Sequence, residues 1–576
     1  MSLPDSQNTQ ELLKRMGKGL ERLRVLIVDR HSGARTSLRI LLSTLGITSI
    51  HNATSSAEVL RNVKSYDFHV ILADYVLEDE RDGQQLLEEL RQQHLISLST
   101  VYMLITAERA YQNVVSVAEL TPDDYLIKPF TADMLEGRLV RALYKKKFFE
   151  PIFRPLDDGA LVDALAACEM LLARDEPQFL ADTLRHKGSI LNTLGRYGEA
   201  KAVYERVLDL DTAPPWARMG LAVALRGLGD LAEAENIGSE LIHEFPEYLA
   251  AYDFVANVCE ERGDLTKAQE MLQKATVMSP NNSLRQRTVG DVAVRNKDLE
   301  VAERAYGKVL ERRRGSSLRV VDDYANLTRV LLDRGRTDGA RRVTQELRRD
   351  WRGNSQGEFA ALVMDSLCSN QEGESEKARQ SLEKALSLHD AMQEDAASGA
   401  LSQKITVDLA HACLATGDED RAREILGKVA AENHEDRDVI AQIQNIFAKT
   451  GKEEAGQDLL AEVGREIVEL NNRGAVAAES GDDGASVQTL IEAAERVPSL
   501  QFLTDASKAI FTLLDHRGWN EEMAERGLRY LRLAQAKDMN SPKVVSAREL
   551  YFGVARKYGI EAAPLVRGLK AGEVGI

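Results

Sequence analysis

Four side chains able to act in one reaction stand at comparable places in the first 130 residues: Asp29, Asp74, Thr106 and Lys128. Each directly follows a short strand-like run: LRVLIV, FHVILA, VYMLI and DDYLI. Two carboxylates, a hydroxyl and an ammonium suit phosphoryl transfer. A carboxylate can attack a phosphoryl group when a divalent cation and a lysine offset the charge on the transferring oxygens.

The set works only if the underlying elements bring the four run ends together. From Leu23 the chain alternates LRVLIVD, an amphipathic stretch to Leu45, ITSIHNA, a helix through Lys64 and FHVILAD. It continues with a helix over about 84–93, VYMLITA, a short helix near 111–119, DDYLIKPF and a last helix over about 131–147. Five short β-rich runs separated by helices predict a parallel sheet covered on both faces. In such sheets ligand chemistry sits at the carboxyl ends of the strands, where the four residues stand.

Their order and spacing resemble the CheY-like receiver family over roughly residues 23–146. Ala107 after the threonine, Tyr125 three residues before the lysine, Gly83 opening the third helix and the KPF triplet belong to the same pattern. The resemblance implies a doubly wound, flavodoxin-like α/β domain with Asp74 as phosphoacceptor. It implies that Lys128 pairs with the phosphoryl group, and that Thr106 moves to hydrogen-bond it while Tyr125 reports the change. It further implies a magnesium site made by Asp29, Asp74 and the backbone carbonyl of Val76, oxygen ligands suited to a hard ion.

Two departures bear on that site. The family usually carries two adjacent acids after the first strand, and the second is here Arg30. The exchange alters local charge by about two units and weakens magnesium binding electrostatically. The loop DYVLEDERDG lacks the family's proline and is one residue longer, and its Glu78, Asp79, Glu80 and Asp82 offer substitute ligands. The contrary reading has Arg30 bridging Asp74 in an unphosphorylated interaction module.

Beyond Pro151 and Pro155 strand signals stop and helical periodicity takes over. Ala200, Ala234, Ala268 and Ala302 recur every 34 residues, and so do Gly188, Ala222, Ala256 and Gly290. Gly195, Gly229 and Gly263 share the period at the turns, and Pro246 and Pro280 close successive units. This is the tetratricopeptide pattern. Small residues let paired helices approach, with Tyr204, Leu272 and Tyr306 filling the gap between them. Each pair must stack on its neighbours to bury its face, which predicts an all-α superhelix. Looser copies follow around Ala340, Ala378 and Ala422, then near Gly456, Ser486 and Ala524, with turns at Gly335, Gly417, Gly451 and Gly481. The expected organisation is a polar extension (1–22), the receiver (23–147), a linker helix region (148–180), about ten repeat units (181–540) and capping helices (541–576).

The concave groove of such an array is expected to hold a peptide or helix of a protein effector. Residues 304–352 carry 14 basic and 7 acidic side chains, whereas 353–500 carry 13 and 29. The first stretch is suited to an acidic partner and the second to a basic one. The blander reading is solvated helix faces.

Composition narrows the function classes. The 576 residues exceed one core, and 74 basic against 91 acidic residues give a net charge of −17, opposing attraction to nucleic acid or anionic membrane. The cluster Arg312, Arg313 and Arg314 lacks interleaved aromatics. Cys168, Cys259, Cys368 and Cys413 lack metal-site spacing and read as buried thiols of a reducing cytosol. No apolar run reaches the roughly 20 residues that cross a bilayer, and residues 1–8 lack a signal-peptide core, so a cytoplasmic location is expected. No phosphate loop, zinc-protease helix or nucleophile elbow occurs, and His186, His243, His389 and His411 stand singly. The reading is a non-enzymatic response regulator, phosphorylated by a histidine kinase or phosphotransfer protein and acting through protein binding. The alternatives are a constitutive scaffold with a degenerate receiver, and a regulatory subunit of a separately encoded enzyme.

Overall fold

The computed structural model describes Leu12 and residues 20–77, 83–106, 122–174, 176–209, 214–279, 282–312, 320–394, 402–479, 483–539 and 541–560. The expected helix near 111–119, Ala107, the acids of the 78–82 loop and Gly481 lie outside these residues. Two compact units emerge, one running to Val258 and the other beginning at Cys259.

The first unit opens with five parallel strands: β1 (Arg24–Val28), β2 (Ser49–Ala53), β3 (Val70–Asp74), β4 (Val101–Thr106) and β5 (Asp124–Ile127). Their order is β2-β1-β3-β4-β5. Side-chain alternation assigns each strand residue to one of two cores. Val25, Ile27, Val70, Leu72, Met103 and Ile105 pack with Leu38 and Leu42 of helix Ser32–Thr44 and Leu135 and Leu139 of helix Ala132–Asp158. Leu26, Val28, Ile71, Ala73 and Leu104 pack with Val59 of helix Ser56–Ser65 and Leu86, Leu87 and Leu90 of helix Gly83–Gln92. Burial on both faces explains why the strands read as near-continuous apolar runs.

The helix expected to end near residue 147 continues to Asp158, through Pro151 and Pro155. An interior proline costs about 3 kcal/mol. Burial of Phe149, Ile152 and Phe153 offsets this at about 1.5–3 kcal/mol for each side chain. Two polar side chains hold the helix to the sheet domain. The Asp157 carboxylate accepts from Ser97 Oγ at 2.5 Å and from the Leu98 N–H at 3.0 Å. Lys146 donates to the Leu98 carbonyl at 2.7 Å and pairs with Asp123 at 2.8 Å. Gly159 then ends the helix in the left-handed conformation.

Helical hairpins follow: Leu180–Thr193 with Tyr197–Leu208, and Pro215–Gly227 with Leu231–Glu244 in the first unit. In the second unit come Ser283–Arg295 with Leu299–Arg312, Val321–Asp333 with Thr337–Asp350, Ser355–Gln371 with Ser375–Glu394, and Gln403–Thr416 with Glu419–Glu432. Helices Leu249–Glu261 and Leu265–Met278 lie between the two groups, and six helices from Arg437 to Lys557 close the described array. The 34-residue pattern has the packing cause its residues suggest. Tyr204 lies against Gly188 and Gly220, and Tyr306 against Gly290, closely enough that no Cβ fits between. Ala200, Ala234, Ala268, Ala302, Ala340, Ala378 and Ala422 are all fully buried.

Gly195, Gly229, Gly263 and Gly335 turn their hairpins with positive φ, and Lys297 does the same work with φ 61°. An L-residue pays about 1–2 kcal/mol there, which exceeds the extra chain entropy that glycine loses on folding. Lys297→Gly is therefore expected to stabilise the second unit by about 0.5–1 kcal/mol, read as a higher urea midpoint at unchanged slope.

Candidate functional site

The site forms where β1, β3 and β5 end. Asp29 follows β1, its carboxylate 1% exposed, and accepts from the His31 N–H at 2.8 Å. Asp74 closes β3 with its side chain 13% exposed. Lys128 follows β5, and its Nζ donates to Asp29 Oδ2 at 2.9 Å and Asp74 Oδ1 at 3.1 Å. Three of the four residues singled out in the sequence thus form one charge cluster, although 54 and 99 residues separate the paired positions.

Thr106 ends β4, buried, one position beyond Ile105, the register partner of Asp74. The Lys128 N–H donates to its carbonyl at 2.8 Å. Val76 lies two residues past Asp74 with its side chain exposed. Tyr125 lies within β5, its backbone carbonyl held by Arg138 at 2.7 Å. Its buried hydroxyl meets no hydrogen-bond partner among the described residues, and burial raises its pKa.

Charge balance governs the cluster. Burial pushes the Asp74 carboxyl above its ordinary value, Lys128 opposes the shift and Asp29 adds to it. The bonds and charges of both aspartates hold Lys128 above its ordinary value despite burial. Among the described residues, the two carboxylates share the single ammonium of Lys128, a hydrogen-bonded cluster with one negative charge in surplus. That surplus, with oxygen donors at adjoining strand ends, fits a hard divalent cation, which commonly binds through one or two carboxylates and keeps its waters.

Arg30 is exposed and its Nε donates to His31 Nε2 at 3.1 Å. The cation on Asp74 is Lys128, so the contrary reading is corrected in its premise that Arg30 bridges Asp74. The reason is local: the His31 N–H turns back onto Asp29 and the chain enters the next helix, carrying Arg30 outward. Sequence reasoning missed Arg35, whose Nη1 donates to the Asp29 carbonyl at 2.7 Å from that helix. It identified Gly83 without its cause. A Cβ there would lie 2.6 Å from the Asp74 carbonyl oxygen and 2.5 Å from Leu104.

Elsewhere, several arginines of the basic stretch 304–352 are engaged within the array. Arg341 bonds Glu372, Arg348 pairs with Asp365 at 2.6 Å, and Arg334 and Arg336 both meet Glu303. Stacking brings these four arginines against acids of neighbouring helices, which removes part of the charge expected to face an acidic partner. The four cysteines are buried, and burial pushes Cys168, Cys368 and Cys413 up to about 12. No described helix is long and apolar enough to cross a membrane.

His186 packs edge-on against Phe149 and Phe153, and burial drives His186 and His411 down to about 4. Their folded pKa values lie below the unfolded value of about 6.5. The unfolded chain therefore binds more protons between pH 6.5 and 4, and stability falls as pH drops through that window. Each imidazole is expected to remove about 2 kcal/mol at pH 5 relative to pH 8. Melting temperatures should fall over this range, and less so in His186→Phe.

Comparison with known proteins agrees with this architecture. Residues 25–140 match the response regulator receiver domain, and 191–258, 324–346 and 405–428 match tetratricopeptide repeats. Over 117 residues, 20% of this chain and 88% of the relative, the chain is 30% identical to chemotaxis protein CheY-3 of Vibrio cholerae. It is 29% identical over 134 residues to the probable transcriptional regulator ycf27 of Cyanidium caldarium, covering 23% of this chain and 51% of the relative. Among solved structures it is similar to residues 41 to the end of MamA from Desulfovibrio magneticus RS-1. That likeness has 23% identity and a TM-score of 0.26, covering 30% of this chain and 96% of that one.

Proposed function

Because the chain belongs to the response-regulator receiver family through its N-terminal domain and carries tetratricopeptide repeats behind it, we propose that it is a phosphorylation-dependent regulator whose output is protein binding by the repeats. The observation that carries the reading is Lys128 bridging Asp29 and Asp74.

In this mechanism an Asp74 carboxylate oxygen attacks the phosphorus of a phosphohistidine on a kinase or phosphotransfer protein. The new O–P bond forms as the P–N bond breaks, and the donor imidazole leaves. Lys128 shifts from the free carboxylate to the phosphoryl oxygens it helps to neutralise. Asp29, Asp74 and the Val76 carbonyl would hold magnesium, which supplies further charge neutralisation on those oxygens. The Thr106 hydroxyl donates to the phosphoryl group, and Tyr125, whose hydroxyl meets no partner among the described residues, changes position with it. The reading is tested by capturing partners from the native cytosol with full-length protein, with and without beryllofluoride as phosphoryl mimic. Identical capture in both arms would support the second reading, a constitutive scaffold, which Arg30 in place of an acid favours.

Arg30 also sets a quantitative expectation. Its exposed guanidinium acts on the site through screened solvent, so Arg30→Asp should tighten magnesium binding on the order of threefold to tenfold in a calorimetric titration. Unchanged affinity would show that Arg30 leaves the site's field untouched.

A further inference from the structure

In the second unit the first helices of successive hairpins do not line an open wall. Helix Ser355–Gln371 is buried around most of its circumference, with Phe359, Leu362, Met364 and Leu367 pointing in different directions and all enclosed, and between its ends only the stripe of Glu358 and Asp365 reaching solvent. A helix enclosed over so much of its surface packs as a core helix rather than as one wall of an open groove. Its flanking first helices, Val321–Asp333 and Gln403–Thr416, touch each other across it.

Polar links between non-adjacent hairpins accompany this closure. Arg329 meets Asp408 at 3.1 Å and Lys404 meets Asp291 at 3.4 Å. Lys449 donates to both Asp333 oxygens at 2.8 and 3.1 Å, and Ser402 donates to Asp322. Partners in the Lys404 and Lys449 pairs lie 113 and 116 residues apart, with at least one whole hairpin between them. The links come from first helices or their caps, the elements expected to face a ligand. Lys404 and Lys449 are 40% and 43% exposed, so their pairs are open to screening.

We propose that these links form an electrostatic clasp holding the inner face of the hairpins between residues 283 and 449 shut, a regulatory contact within the array. What the opened face receives rests on the protein-binding reading above; the clasp itself does not. Release, by salt or by a competing charged surface, lets the first helices separate and uncovers that face.

The test uses the full chain without phosphodonor, so its outcome is independent of receiver chemistry. Lys404→Glu with Lys449→Glu is expected to speed amide exchange about tenfold in 403–416 and 437–449, and to enlarge the radius of gyration. Helical content should stay unchanged, because both lysines lie at the surface. High salt should move wild type in the same direction. Adding Asp333→Lys to the double variant should restore slow exchange in 437–449, with Asp291 left in place because it also accepts from the Tyr306 hydroxyl. Wild-type exchange and size in the double variant would overturn the clasp, as would failure of the reversed Lys449–Asp333 pair to restore it.

Discussion

Asp74→Asn is expected to abolish phosphate uptake completely, where wild type incubated with a small phosphodonor and magnesium gains one phosphate by intact mass. The amide is isosteric and keeps an oxygen toward Lys128, so the fold and the 3.1 Å contact position survive while the nucleophile is lost. Burial and the neighbouring Asp29 hold the Asp74 carboxyl above its ordinary value, and Lys128 keeps it from rising further. Lys128→Met should therefore leave two buried carboxylates facing one another without their shared cation, and labelling should also collapse. Equal labelling of wild type and Asp74→Asn would place the acceptor elsewhere and remove the proposed switch.

Gly290→Val is expected to destabilise the second unit by about 3 kcal/mol, lowering its melting transition while Gly307→Ala, one hairpin partner away, raises it. A Cβ at Gly290 would lie 2.4 Å from the Tyr306 ring. That ring cannot swing aside. It is 3% exposed, and its hydroxyl donates to Asp291 at 2.6 Å. Gly307 sits inside helix Leu299–Arg312 with nothing within 4 Å of the added methyl, so alanine there only gains helix propensity. A melting profile in which both substitutions behave alike would mean that the tyrosine does not set the interhelix distance.

The sequence by itself determined the receiver sheet, the polar residues at its strand ends that form the candidate site, and the repeat pattern. These rest on short apolar runs separated by helices and on periodicities of 3.6 and 34 residues, each a repeated local packing requirement. Asp29, Asp74 and Lys128 were identifiable because strand ends in a parallel sheet share one edge. The direction of Arg30 was not, since it depends on how His31 folds back onto Asp29. Nor was the helix Ala132–Asp158 running through two prolines, where burial of Phe149, Ile152 and Phe153 outweighs a strong local breaker. Charge patterning was least informative: Arg341 and Arg348 look like a basic surface in one dimension, and stacking turns them onto Glu372 and Asp365. Only the tertiary structure decided that the inner face of the second unit is crossed by its own ion pairs. Links between hairpins more than 100 residues apart depend on how each hairpin is set against the next, and no single repeat encodes that accumulated angle.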